Sequence, residues 1–499
     1  MEAYDLIQQP EGKMSKIIVS DADMALHKRY HQELVFNYSE YPTKDHWSFD
    51  LKSVDFKEAM RDWIPANPEE KIFFYVHIPF CEELCYFCTC SKYITKDYSR
   101  VSKYLESLHT EINLLDDFLK ENKIALNVGT VFFGGGSPTI LSETDLEGLV
   151  TRIRKVFDWS SVEFFTVESD PRRVDEKRLI FNHEVCGANR ISFGMQDLDP
   201  EVQRRVNRIQ PKSLFSEILT DKVRSYYKEI AFDLLIGQPG QTVETMEKTC
   251  DGIIELKPTL VQLSLMAYKP WIAKHQMRML AEGPLPDFFE RKELLAIIHD
   301  KLQQAGYVRT GFECYSLPES PMTKAFEAGT AHYGASGHQP GGRVNFLGIG
   351  SSSMSNFGQD YYFQNFYDLD AYAKSLEMGQ FATFRGMKLS QDDKIRQHAT
   401  QQIRSYFVLD FENFKENFDI NFETYFKNEI ELLKSFKNDG LLTFLPEKIV
   451  LTEIGRDFVQ NIMNVFDVYD PPNASVRDRL EVIQAAKEKQ RLVQEKINN

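Results

Sequence analysis

"YVHIPFCEELCYFCTCSKY" spans Tyr75–Tyr93 and places Cys81, Cys85, Cys88 and Cys90 in one short loop. The 499-residue chain holds only seven cysteines, so more than half of them fall here. A disulfide framework spreads its cysteines through a small secreted chain. This chain starts "MEAYDLIQQPEGKMSK", without the basic-then-apolar pattern of a secretory signal. The cluster therefore reads as metal or redox chemistry. Thiolates at C-x3-C-x2-C-x-C spacing can hold zinc or an iron–sulfur cluster. Structural zinc usually draws two cysteine pairs from separated segments, and no second pair follows. Cys186, Cys250 and Cys314 are isolated in or beside apolar runs and read as inert buried thiols. Zinc with His77 as an extra ligand, or a redox thiol pair, are the other readings the spacing leaves open.

Outward from the loop, a rhythm of short apolar runs appears. "KIFFYVHI" (71–78) leads into the cysteines. It is followed by "NVGTVFFGGG" (127–136), "SVEFFTVES" (161–169), "NRISFGMQ" (189–196), "EIAFDLLIG" (229–237), "LVQLSLMAY" (260–268) and "YVRTGFECY" (307–315). Helical patterns lie between them. In "SRVSKYLESLHTEINLLDDFLKEN", Val101, Tyr104, Leu105, Leu108 and Ile112 recur at helical spacing. Continuous apolar strands alternating with helices predict a parallel sheet covered by helices. Six or more such units predict an α/β barrel or partial barrel, with its site at the C-terminal ends of the strands.

Length predicts two or three domains. We divide the chain into an N-terminal extension (1–68) packed on the body, a barrel and substrate region (69–378), a C-terminal domain (379–470) and a charged helical tail (471–499). The C-terminal domain reads as helices, a hairpin at "LLTFLPEKIVLT" and a further helix, a winged-helix-like pattern. Hydrophobic residues at 42% and charged residues at 27% describe a globular chain. No apolar run reaches membrane-spanning length, so no span and a cytoplasmic location are expected. The net charge of −15 argues against general nucleic-acid binding.

C-x3-C-x2-C directly after a strand resembles the signature of radical S-adenosylmethionine (SAM) enzymes. The longer "YVHIPFC…CYFCTC" resembles the oxygen-independent coproporphyrinogen III oxidase family within them. The resemblance runs over roughly residues 70–470 and includes "SFGMQDLDPEVQRRVNR", "RGMKLSQDDKIRQH" and "NVFDVY". It implies a partial (β/α)6 barrel and a [4Fe–4S] cluster on Cys81, Cys85 and Cys88. Three ligands rather than four leave one iron open for SAM. Reductive cleavage of SAM then gives a 5′-deoxyadenosyl radical that abstracts hydrogen. Cys90 is typical of the family but is not a ligand there.

The same resemblance implies cofactor contacts from Tyr75, Phe87, Gly135, Gly136, Ser137, Glu168, Gln196, Arg208, Asp233, Ala267 and Met354. Some of these surround a second SAM molecule in the family. Read alone, "FFGGGSP" is equally a tight turn and Glu168 equally a solvated loop charge. Asp233, set among apolar residues, needs a polar partner, and Arg208 is a possible one. The implied partners are a tetrapyrrole substrate and an electron donor such as flavodoxin or ferredoxin. The implied reaction is decarboxylation of two propionates of coproporphyrinogen III to vinyl groups. Two stretches depart from the family pattern, "HYGASGHQPGGRVNFLGIG" (332–350) and "GFECYSLPESP" (311–321). In the first, His338 and Arg343 are a possible propionate site, the alternative being an ordinary flexible loop. A related methyltransferase, a haem-cleaving enzyme or a haem chaperone are the competing readings.

Overall fold

A computed structural model describes residues 20–30, 40–270, 273–334, 337–341, 345–358 and 360–470, with 484, 485, 488, 491 and 492 from the tail. The expected charged tail helix thus lies almost wholly outside the described residues. The main sheet has nine strands. They are β1 (Ile72–Ile78), β2 (Val128–Gly135), β3 (Phe164–Ser169), β4 (Arg190–Gln196), β5 (Glu229–Ile236), β6 (Leu260–Leu265), β7 (Val308–Arg309), β8 (Cys314–Ser316) and β9 (Asn345–Ile349). Their order is β9-β1-β2-β3-β4-β5-β6-β8-β7. Strands β1 to β6 run parallel in chain order, and β9 joins parallel to β1. This is the partial barrel that the apolar runs predict, in the (β/α)6 form that the resemblance implies. Each run is continuous because a parallel strand is covered on both faces.

Helices cover the sheet, and their ends are written in the sequence. Tyr98–Asn122 starts where Asp97 accepts a hydrogen bond from the Ser99 amide and stops at Lys123 in a left-handed conformation. Glu143–Ile153 is capped by Ser142 and Val243–Leu256 by Thr242. Such caps each contribute about 1 kcal/mol. Val101, Leu105, Leu108, Ile112 and Leu115 of the first helix pack with Phe74, Val131 and Phe133 of the sheet.

The seventh apolar run differs from expectation. "YVRTGFECY" is not one parallel strand but the antiparallel hairpin β7–β8, with β8 antiparallel to β6. Gly311 (φ 134°) and Glu313 (φ 64°) turn the chain back between the two strands. A left-handed Glu is invisible to a pattern of apolar spacing.

The N-terminal extension packs as expected where it is described. Helix Ser53–Ala66 buries Phe56, Ala59, Met60 and Ile64 in the main core. Tyr41, Leu26 and Tyr30 instead join a second core with residues 395–466. That core is built on helices Gln391–Tyr406 and Lys427–Asn438 and on the expected hairpin, Leu442–Leu445 with Lys448–Leu451. Val408–Asp410 adds a third strand to the hairpin. Between barrel and C-terminal core lies a three-stranded antiparallel sheet, Met354–Phe357, Tyr361–Asn365 and Thr383–Lys388. Among the described residues no helix is long and apolar enough to cross a membrane.

Candidate metal and cofactor site

The cysteine loop leaves β1 at the C-terminal edge of the barrel. Phe80–Cys81 pairs with Tyr93–Ile94 and closes the base of the loop. The end of β2 fits beneath it. Gly135 (φ 120°) could not carry a side chain, because a Cβ there would lie 2.8 Å from the His77 ring. At Gly136 a Cβ would meet the Phe80 carbonyl oxygen at 2.6 Å. The glycines therefore let β2 and the cysteine loop touch backbone to backbone. The Gly136 and Ser137 amides donate to Ile78 and Phe80 carbonyls at 2.8 Å each, and the Ser137 hydroxyl shares a hydrogen bond with Thr139 at 2.7 Å.

Two guanidiniums face the Cys85 sulfur, Arg208 at 3.4 Å and Arg172 at 3.8 Å. Arg172 also pairs with Asp170 (2.7 Å) and Glu83 (3.3 Å), and Arg173 pairs with Glu82 (2.6 Å) and Glu83 (3.1 Å). The turn after β3 thus grips the cysteine loop. Burial would raise the Asp170 carboxyl, but Arg172 and Arg208 outweigh it and hold the group at about 2. A hydrogen bond with Cys90 holds the Cys88 thiol down at about 5 against burial, helped by the Lys92 ammonium. Burial, with the neighbouring Cys88 and Cys85, pushes Cys81 up to about 12. Cys90 is exposed and neighbours Cys88.

His275 and Gln276 fasten the loop from across the barrel. The His275 Nε2 bonds the Cys88 carbonyl at 2.8 Å. The fully buried Gln276 donates to the Phe87 carbonyl (2.8 Å) and the Ala267 carbonyl (2.9 Å), and accepts from the Lys269 amide (2.6 Å). One amide side chain therefore joins the cysteine loop to the loop after β6.

The remaining candidates line the upper interior. Tyr75 on β1 stands opposite Gly348 of β9, and its hydroxyl meets His77 Nδ1 at 3.1 Å. Glu168, at the end of β3, accepts from the Gly135 amide at 3.3 Å. Burial, then the negative charge of Asp233, lifts its carboxyl to about 8. Burial lifts Asp233 to about 6. Gln196 ends β4 with a left-handed φ of 67°, the kind of strain that collects at binding sites. Ala267 is exposed just beyond β6. Phe87 packs toward Val206, Leu235, Met266 and Met279. Met354 stands farther out, on the small sheet, against Trp47 and Tyr362.

Two expectations are corrected. Arg208 is not the hydrogen-bonding partner of Asp233. Ser192 is, at 3.0 Å, while Arg208 donates to the Gly194 carbonyl and the Cys85 sulfur. The strand register sets Ser192 and Asp233 side by side, a relation that sequence distance hides. The part of the divergent segment read as a possible propionate site also lies away from the cysteines. The segment's first described part forms a hairpin, His332–Gly334 with Gly337–Gln339, and its last residues form β9. Gln339 bonds Arg190 at the start of β4, the end of the barrel opposite the cysteines. His338 meets Gln262 at 3.0 Å, and burial together with Arg404 lowers its pKa well below 6.5. Arg343 lies outside the described residues.

The donor set fits the implied cofactors. Among the described residues no three His, Cys, Asp or Glu side chains converge on a single metal-ion position. A cubane has no such need, since each thiolate takes its own iron. Cys81, Cys85 and Cys88 share one loop, and two guanidiniums stand against the Cys85 sulfur. Glu168 and Asp233 form no ion pair among the described residues, which suits a cofactor carrying an ammonium and a sulfonium.

The model of the radical SAM superfamily matches residues 75–253. The chain is 34% identical over 437 residues to the oxygen-independent coproporphyrinogen III oxidase of Pseudomonas aeruginosa, across 87% of this chain and 93% of that one. It is 30% identical over 449 residues to the protein of the same name from Escherichia coli, across 90% and 96%. The solved structure of coproporphyrinogen III oxidase from Escherichia coli, described as a radical SAM enzyme, matches with a TM-score of 0.81 at 31% identity, across 89% of this chain and 98% of that one. The chain belongs to the oxygen-independent coproporphyrinogen III oxidase family of the radical SAM superfamily.

Proposed function

We propose that this chain oxidatively decarboxylates two propionate side chains of coproporphyrinogen III to vinyl groups, giving protoporphyrinogen IX in haem biosynthesis. The observation that carries the reading is agreement with oxidases of that name along nearly their whole length, barrel and C-terminal region together. Cys81, Cys85 and Cys88 would hold the [4Fe–4S] cluster. The cluster and SAM, when bound, supply a 5′-deoxyadenosyl radical able to take a hydrogen from the propionate β-carbon.

The chain's own residues have distinct tasks in this reading. Arg172 and Arg208 offset the negative charge that gathers at the thiolates. Glu168 and Asp233, recessed in the barrel, would meet the positive groups of SAM. Gly135, Gly136 and Ser137 let the β2 backbone come close to it, and Tyr75, Phe87, Gln196 and Ala267 would line its remaining surface. Met354, on the small sheet, would border a second SAM molecule. Segment 69–378 would carry the chemistry and 379–470 would cover it. A flavodoxin or ferredoxin would deliver electrons, in the cytoplasm.

Anaerobic incubation of the reconstituted enzyme with coproporphyrinogen III, SAM and a reductant tests the substrate. The expected products are the divinyl porphyrinogen, carbon dioxide and 5′-deoxyadenosine. Cleavage of SAM with no decarboxylated porphyrin would sink the assignment, and a methylated product would select a methyltransferase.

A further inference from the structure

Arg385 contrasts with those recessed arginines of the chain that pair with a carboxylate. Arg190 pairs with Glu229, Arg404 with Glu313 and Arg172 with Asp170. Arg385 has no carboxylate within ion-pair distance among the described residues. It is held instead by neutral oxygens. Its Nε donates to Gln364 Oε1 at 2.8 Å and its NH1 to the Lys44 carbonyl at 2.9 Å, with the guanidinium 5.8 Å from the Trp47 ring centroid. No hydrogen bond engages NH2 among the described residues.

The register shows where it faces. Met354 pairs with Gln364, and Gln364 with Arg385, so the three side chains share one face of the small sheet. The other face carries Phe357, Phe363 and Phe384 into the main core. Gln364 also donates to the Ser352 carbonyl at 3.2 Å, in the turn that leaves β9 beside β1. Arg385 is therefore a cation held by neutral oxygens on the face that carries Met354, with Asp45 and Glu40 near but outside ion-pair distance. Burial lowers its pKa and outweighs the opposing pull of the Asp45 and Glu40 carboxylates. Fixing a guanidinium in advance leaves less freedom to lose when a carboxylate binds.

We propose that Arg385 is a carboxylate-binding subsite that receives a propionate of the substrate. This rests on the substrate reading above. The chain carries a net charge of −15, so a polyanionic substrate needs local cations to approach at all. The carboxylate of a second SAM has the same chemistry, and the test separates the two.

Arg385→Gln and Arg385→Lys are compared with the wild type as cluster-loaded enzymes, with iron content and melting temperature as controls. Binding of coproporphyrin III is titrated by visible absorbance, SAM binding by equilibrium dialysis, and turnover is measured anaerobically. The expected result for Arg385→Gln is porphyrin affinity weakened about 10-fold and KM for coproporphyrinogen raised to match, the size of a lost charge-assisted hydrogen bond. SAM affinity and kcat stay near wild type, and Arg385→Lys recovers part of the loss. Unchanged porphyrin affinity and KM in a folded, loaded variant overturn the subsite alone. A loss of SAM affinity in place of porphyrin affinity assigns Arg385 to SAM and overturns the substrate role. A variant that loses its cluster or its fold, with Arg385→Lys failing alike, makes Arg385 structural and overturns the proposal. A wild-type enzyme that neither binds nor turns over the porphyrinogen overturns the substrate reading itself.

Discussion

The two ends of the barrel treat charge in opposite ways. Where the strands begin, Arg190 and Glu229 are both buried and paired directly, and Gln339 and Ser320 take up their remaining bonds. Where the strands end, Glu168 and Asp233 are recessed without a cation in ion-pair contact among the described residues, and burial raises both. The first end balances its charges internally because it only has to hold. The second keeps charges that a folded chain would ordinarily neutralise, as at a surface awaiting a ligand of opposite sign.

Three sets of substitutions probe that contrast. The largest effect is expected at the cysteines. Cys81→Ala, Cys85→Ala or Cys88→Ala should each abolish iron loading and product formation, whereas Cys90→Ala should retain iron. Iron and sulfide content of the reconstituted proteins decides it. Iron-replete Cys85→Ala would refute the ligand set.

At the opposite end, Arg190→Ala should cost about 3 kcal/mol of stability, since Glu229 is left buried and alone. Urea unfolding of the apo chain measures this. The surviving folded protein should bind SAM as the wild type does once loaded. A fall in SAM affinity without a fall in stability would mean that the two ends are not separate in function.

The smallest effect concerns a buried carboxyl that has hydrogen bonds but no cation. Glu111 accepts from the Gly350 amide (2.6 Å), Tyr372 (2.6 Å) and Asn365 (2.8 Å). Burial still lifts it from 4.5 to about 7. A raised carboxyl contributes stability that is complete below the unfolded value near 4.5 and is lost as the pH rises through about 7. Between pH 5 and 7 the wild type should therefore lose on the order of 1 kcal/mol relative to Glu111→Gln. Parallel stability curves would show that three neutral donors already satisfy the charge.

Much of the barrel was legible because its information is local. An apolar parallel strand is readable from its own six to eight residues, and the cysteine spacing from ten. What stayed hidden depends on contacts between distant positions. Arg172 and Arg173 reach Glu82 and Glu83, and the available clue was the match between "CEEL" and "DPRR". Nothing near Gln276 in sequence points to Phe87. Glu313 turns the chain at a left-handed φ that no propensity anticipates, which is why β7–β8 read as one strand. Ser192 meets Asp233 only after two strands have settled into register. Charge identity was visible in the sequence, and charge pairing was not.

Gln276 has a consequence for how the enzyme matures. Its one amide group ties Phe87 in the cysteine loop to Ala267 and Lys269 beyond β6. A loop opened to admit iron must pull on, or release, the segment opposite. Metal insertion and the shaping of the cofactor cavity then become one cooperative event, so that the chain assembles its inorganic and its organic binding sites together.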